Sequence, residues 1–319
     1  MKRKHTYVIY TLLFFSVLIF VICLFFLYFS NRTDSSESIG KITAILNNEQ
    51  NIFWKDTWKG LRAEAKNQRI ALSEYQVTSK ESIADYLEIA ILSGTDGIIF
   101  NASNVHDTES KELLRQAYEC GIVLISLDSA YEDVPALCLK IDNVSSSKKI
   151  ADYILKNSKE EKIILLTYDV YYSSSLQTRF DTVKTSLIEN GCQDRLILLE
   201  IPNENVEIRE YLNHYLKNFE GNAFLVGTGP GQTLISARTV SSLDLSEQFR
   251  IIGFGESQEA IDFLKEGSIE ALLIQNNQQM GSLAVSYMAE ALTGNEVPKN
   301  SVFVDSSLYT ASTIDTLTQ

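Results

Sequence analysis

The chain has 319 residues, 45% of them hydrophobic and 10% aromatic, and 41 acidic against 28 basic side chains leave a net charge of −13. That length is more than one hydrophobic core usually serves, so two lobes or a domain with an appendage are expected, and four prolines with 15 glycines exclude collagen-like and low-complexity classes. The acidic balance, with no stripe of Lys and Arg after residue 5, excludes nucleic acid as a partner.

In chain order, Met1-Lys2-Arg3-Lys4-His5 precedes a run from about Tyr7 to Phe29 that carries no charge and is rich in Leu, Phe, Ile and Val. About 20 such residues span a bilayer as a helix. A cleavable signal peptide has a shorter apolar core and a small-residue exit, whereas this run leaves through Phe29-Ser30-Asn31-Arg32-Thr33. The sequence therefore predicts a cytoplasmic tail over 1–6, an uncleaved single-pass anchor in the cell membrane over 7–29 and a polar linker over 30–40. Lys2, Arg3 and Lys4 hold the N-terminus inside, which leaves everything after the anchor outside the cell.

From residue 41 short apolar runs alternate with amphipathic stretches. The runs predict strands at Lys41–Leu46, Ile70–Tyr75, Gly97–Asn101, Ile122–Asp128, Leu137–Asp142, Lys162–Thr167, Arg195–Ile201, Asn222–Gly227, Arg250–Phe254 and Ile269–Ile274. Unbroken runs such as Ile163-Ile164-Leu165-Leu166 indicate strands covered on both faces, as in a parallel sheet between helices. Helical spacing joins Trp54, Trp58, Leu61 and Ala65, then Ile83, Leu87, Ala90 and Ile91, and later Met280, Leu283, Ala284, Tyr287 and Ala291. Ser79 and Asp107 fit N-caps, and Gly121 and Gly191 fit C-caps. Ten strands suit an α/β fold of two Rossmann-like lobes, with a (β/α)8 barrel as the rival architecture. Cys120, Cys138 and Cys192 lack metal-site spacing and are expected as buried thiols with at most one bridge.

Ligands of open parallel sheets bind beyond the carboxyl ends of the strands. Those positions hold Asn47-Asn48 with Phe53-Trp54, Asn101, Asp128-Ser129, Asp142-Asn143, Tyr168-Asp169 with Arg179, Thr228, Gly255-Glu256 and Gln275-Asn276. Amides, hydroxyls and isolated carboxylates bind hydroxyl groups in both senses, and aromatic faces cover the C–H side of a sugar ring, so a small neutral polar solute is expected. The same Asx residues also serve as helix caps, an alternative that stays open for each of them. No nucleophile elbow, paired acid or His-x-x-x-His is present, His106 and His214 stand apart, and nothing calls for a cofactor or metal. Gly227-Thr228-Gly229-Pro230-Gly231 lacks the lysine of a phosphate loop and reads as a strand-to-helix turn.

The segments ITAILNNEQNIFWKDTWKGLRAEA, SGTDGIIFNAS, GIVLISLDS, LCLKIDN and IIGFGESQEAIDFLKEGSIEALLIQNNQQMG, followed by Gly294-x-x-Val297-Pro298, resemble type I periplasmic binding proteins over about 41–310. These are proteins of the ribose- and galactose-binding family, which also supplies lactose-repressor-type effector domains. The resemblance implies two lobes joined by three crossovers and closing by a hinge, an N-lobe of about 41–141 and 276–298, and a C-lobe of about 142–275 and 299–319. It implies that Phe53 and Trp54 stack on the ligand and that Asn101 and Asp128 bind hydroxyls, with Arg179 and Gln275 opposite; Asn48, Thr228 and Glu256 complete the candidate set. Three departures imply a ligand other than a simple pentose or hexose. Ser129 follows Asp128 where the family has Arg, Gly227-Thr228-Gly229 replaces a Gln-Asn-Asp-like segment, and Gly255 replaces an Asp beside Glu256. Residues 1–40 hold an anchor where a repressor would hold its helix-turn-helix, and so short a cytoplasmic tail requires a membrane partner, a sensor histidine kinase or an ABC permease. The alternatives are an exported carbohydrate-active enzyme and a ligand-independent scaffold.

Overall fold

Apolar side chains at consecutive positions give a strand no face to turn toward water, so each such run is covered on both sides. Ile98, Ile99 and Phe100, and likewise Ile163 to Leu166, are fully buried. A computed structural model describes residues 38–318 other than 51, 79–80, 168–173 and 201–206, together with Ile19.

The first lobe is a parallel sheet of β1 (Gly40–Asn47), β2 (Ile70–Val77), β3 (Gly97–Asn101), β4 (Val123–Leu127), β5 (Leu137–Ile141) and β11 (Val302–Val304), in the order β11-β5-β4-β3-β1-β2. Helices α1 (Ile52–Asn67), α2 (Ala84–Leu92), α3 (Thr108–Glu119) and α9 (Asn277–Leu292) cover it. The second lobe has β6 (Lys162–Leu166), β7 (Leu196–Leu199), β8 (Ala223–Gly227), β9 (Phe249–Phe254), β10 (Ala271–Gln275) and β12 (Ser306–Thr310), in the order β12-β10-β9-β8-β6-β7. Its strands are parallel except β12, which runs antiparallel to β10. Around it lie α4 (Asn143–Asn157), α5 (Ser174–Glu189), α6 (Ile208–Lys217), α7 (Pro230–Ser242) and α8 (Gln258–Lys265).

The chain passes between lobes three times, each time through one residue: Asp142 from β5 to α4, Asn276 from β10 to α9, and Asp305 from β11 to β12. Asp142 and Asn276 double as N-caps, their carboxylate and amide oxygens accepting from the Ser145 and Gln279 amides at 2.8 and 3.1 Å. Capping fixes the direction in which each helix leaves its hinge.

The third crossing corrects the expected boundary. Val302–Val304 pairs with β5, so the first lobe extends beyond residue 298 to Val304, and β11 and β12 are strands without a counterpart among the ten expected. β11 is three residues long with Phe303 55% exposed, and β12 reads Ser-Ser-Leu-Tyr-Thr, so neither shows the buried apolar run that marks the others. Expectations at Ser79, Tyr168, Asp169 and Ile201 fall outside the described residues, as does the expected anchor over 7–29. Among the described residues no helix is long and apolar enough to cross a membrane. The three described cysteines are free thiols; Cys138 and Cys192 are buried, but Cys120, at the carboxyl end of α3, is exposed where burial was expected.

The stripes predicted for α1, α2 and α9 turn inward. Trp58, Leu61, Leu87, Met280 and Ala284 have no exposed surface. α1 and α9 run side by side so closely that Gly60 and Gly281 face backbone rather than side chains: a Cβ on Gly60 would stand 1.9 Å from the Gln278 carbonyl oxygen, and one on Gly281 2.1 Å from that of Thr57.

Candidate functional site

Parallel strands deliver their carboxyl ends, and the amino ends of the helices that follow, to the side of each lobe where the three crossings lie. From the first lobe come Asn47 and Asn48 after β1, Asn101 ending β3 and Asp128 after β4. From the second come Thr228 after β8, Glu256 after β9 and Gln275 ending β10, with Arg179 on the second turn of α5.

Arg179 is the centre of this set. Only 7% exposed, it lays its guanidinium 4.3 Å from the Phe254 ring centroid, and its Nε donates to Asn143 Oδ1 at 2.7 Å. Burial brings its pKa down to about 10, against the pull of Glu256 and Asp128, which favour the cation. It forms no ion pair among the described residues, and the guanidinium is held by stacking on Phe254 and by the Asn143 amide. Burial likewise pushes Glu256 up to about 7; Arg179 opposes this rise and Asp56, on α1 of the other lobe, adds to it. Asp128 is raised by burial and held back by Arg179, and Asp56 is raised by burial against Lys59 and Lys55. The fields of Asp56 and Asp128 from one lobe and of Arg179 and Glu256 from the other therefore meet across the interlobe cleft. On its flank a cavity of about 500 Å³ is lined by Asp128 and Ser129 from the first lobe and Asn143, Ser174 and Thr178 from the second.

The other expected contacts divide. Phe53 is half-buried and meets Trp54 edge-on, with centroids 4.9 Å apart at 76°. Trp54 is only 6% exposed and packs into the first core, and Phe53 is partly buried against that same core. Asn101 is 3% exposed and committed internally: its Nδ2 donates to Asn47 Oδ1 at 3.0 Å and its Oδ1 accepts from the Ser103 amide at 3.0 Å. Thr228 donates from both its amide and its hydroxyl to Gln232 Oε1, at 2.7 and 3.1 Å, and so ties the turn from β8 to α7. Asn48 Oδ1 accepts from the Gln50 amide at 3.2 Å, a local loop bond. Gln275, 7% exposed, stands at the hinge opposite Ser306 of β12.

Sequence reasoning singled out neither Asp56 nor Phe254. Phe254 reads as the last apolar residue of a strand, and Asp56 as one charge on an amphipathic helix. Only the packing shows that one is a shelf for Arg179 and the other faces Glu256.

The periplasmic binding protein domain matches residues 42–296. No match is found among curated proteins. Among solved structures, the sugar-binding protein of a sugar ABC transporter from Bacillus halodurans is similar at 18% identity and a TM-score of 0.72, over 86% of this chain and 99% of that one. GanP, a glucose-galactose binding protein from Geobacillus stearothermophilus, is similar at 19% identity and a TM-score of 0.67, over 87% and 99%. A XylFII–LytSN complex gives 19% identity and a TM-score of 0.67, over 86% of this chain and 98% of that one.

Proposed function

The chain belongs to the periplasmic binding protein domain family, and from that premise we propose that it is an extracytoplasmic receptor for a small, neutral, polyhydroxylated solute, held at the membrane by residues 7–29. The convergence of Arg179 and Glu256 from one lobe with Asp128 and Asp56 from the other carries this reading. A guanidinium that donates and carboxylates that accept can surround a ring of hydroxyls. Because the groups come from both lobes, a bound solute draws the lobes together about Asp142, Asn276 and Asp305. The solved proteins of this fold include sugar-binding members, which favours a sugar or sugar-like ligand. The family and the solved sugar-binding proteins of this fold favour a receptor over an exported carbohydrate-active enzyme.

The function of such a receptor is to report or to deliver its ligand. We propose that the chain passes its state to a second membrane protein, either a sensor kinase or an ABC importer; the XylFII–LytSN complex supports a protein partner for this fold beyond the importer.

The test is titration calorimetry of the full chain in detergent with a panel of sugars, sugar derivatives, polyols and furanose signalling molecules, with D-ribose, D-xylose, D-galactose and D-arabinose among them. At least one should bind, and Arg179→Met, which keeps an apolar stem on Phe254 but removes the donors, should weaken it about 10- to 100-fold. Equal affinity in Arg179→Met, or silence across the whole panel, removes the cleft assignment and leaves the ligand-independent scaffold.

A further inference from the structure

A cavity of about 970 Å³ lies at the amino end of β4, opposite the end from which that strand hands Asp128 to the cleft. The five residues of β4, at about 3.3 Å each, keep the two sites roughly 16 Å apart. Pairing with β5 starts only at Ile125, and beside that gap Tyr118, Tyr131 and Tyr287 stand around Leu124, Leu137 and Val297. Tyr118 is 45% exposed, while Tyr131 is fixed edge-on against Phe100 and by its hydroxyl, which donates to Asp133 Oδ2 at 3.2 Å. Glu132, Asp133, Glu296 and Lys299 form the rim; all are exposed, and none enters an ion pair among the described residues. Tyrosines around an apolar floor under a charged rim have the make-up of a protein-docking pocket.

The chain itself arrives at this end of the lobe. Gly40 begins β1, and a Cβ there would stand 2.7 Å from Leu292 Cδ1, beside Ala291 of the cavity wall. Only β3 separates β1 from β4, with Ile42, Gly97 and Val123 level, so the chain enters about 10 Å to one side of the cavity. With residues 7–29 in the bilayer, residues 30–37 reach at most about 29 Å, which holds this end of the lobe within that distance of the membrane. The occupant therefore comes from the membrane side. Three carboxylates against one ammonium repel anionic lipid headgroups, and a second copy with its net charge of −13, but attract a basic segment.

We propose that this cavity is the docking site for the membrane partner: an extracytoplasmic segment of that protein places an apolar side chain among Tyr118, Tyr131 and Tyr287, and a neighbouring Lys or Arg against Glu132 and Glu296. The inference rests on the membrane-held receptor function above and names the surface that meets its partner.

The experiment uses the full chain in its own cell membrane, with the photoreactive residue p-benzoylphenylalanine in place of the exposed Tyr118. Irradiation should join it to a peptide of a different membrane protein, identified by mass spectrometry, with Lys or Arg beside the joined residue. Glu132→Lys together with Glu296→Lys should cut the yield of that adduct at least about tenfold, while solute affinity stays at the wild-type value because the cleft is untouched. A peptide of this chain, a lipid adduct, no adduct, or a yield unchanged by the charge reversal overturns the docking site. The readouts separate the two proposals: silence across the sugar panel strikes the receptor function, and a missing partner peptide strikes the docking site alone.

Discussion

A non-glycine residue in the left-handed backbone region costs about 1–2 kcal/mol, least for Asp and Asn, whose short polar side chains bond locally. Asp128 stands there with φ +67°, at the point where β4 hands its carboxylate to the cleft. Replacing Asp128 with Ala should lower stability by about 1 kcal/mol, whereas Asp128→Gly should not, and both should lose ligand affinity; denaturant melts with titration separate backbone from carboxylate. Glu256 gives the pH signature. Its pKa rises from an ordinary 4.5 to about 7 because burial penalises the anion, so the folded state holds the proton longer than the unfolded one. Its effect on stability therefore turns unfavourable as pH climbs from about 4.5 to 7 and is constant above. Melting temperatures across that window should fall for the wild-type chain relative to Glu256→Gln, and parallel curves would show that Glu256 is not held in a closed cleft.

At the scale of elements, the α1–α9 contact ties the end of the chain to its beginning. Alanine is a better helix former than glycine by about 1 kcal/mol, so propensity alone makes Gly60→Ala and Gly281→Ala stabilising. Contact reverses the sign: each new Cβ would meet backbone at 1.9 or 2.1 Å, and backbone cannot turn aside as a side chain does. Each change should destabilise by at least about 1–3 kcal/mol in a denaturant melt, with the helices forced apart where Thr57 to Leu61 meets Gln278 to Ser282. Wild-type stability in either variant would mean that the two helices are not in this register. The stripe residues of both helices were legible from their spacing, because helix period and burial go together. The closeness of the helices was not, since Gly60 and Gly281 lie 221 positions apart and a glycine in a helix carries no mark of what it touches.

For the whole molecule, the strongest forecast concerns the amino end. An apolar run of full bilayer length without a small-residue exit should be retained, so alkaline carbonate washing should leave the chain in the membrane pellet and its intact mass should include Met1 to Phe29. A mature N-terminus near residues 30 to 36 would show cleavage instead.

Strand runs, helix stripes and caps are local patterns, and for that reason the amino-acid sequence by itself determined the α/β class, ten of the twelve described strands and the order in which polar groups reach the strand ends. Asp107 and Gly121 could be read as caps because capping needs only neighbours: Asp107 accepts from the Ser110 amide at 2.7 Å, and Gly121 takes φ +82°. Tertiary structure alone decided how those polar residues are engaged. Asn101, Thr228 and Trp54 satisfy or bury themselves within their own lobe, while Arg179 and Glu256 of the second lobe feel the charges of Asp128 and Asp56 of the first. An unmet hydrogen bond, as at Asn277, is a property of the space around a residue, which its sequence neighbours do not describe.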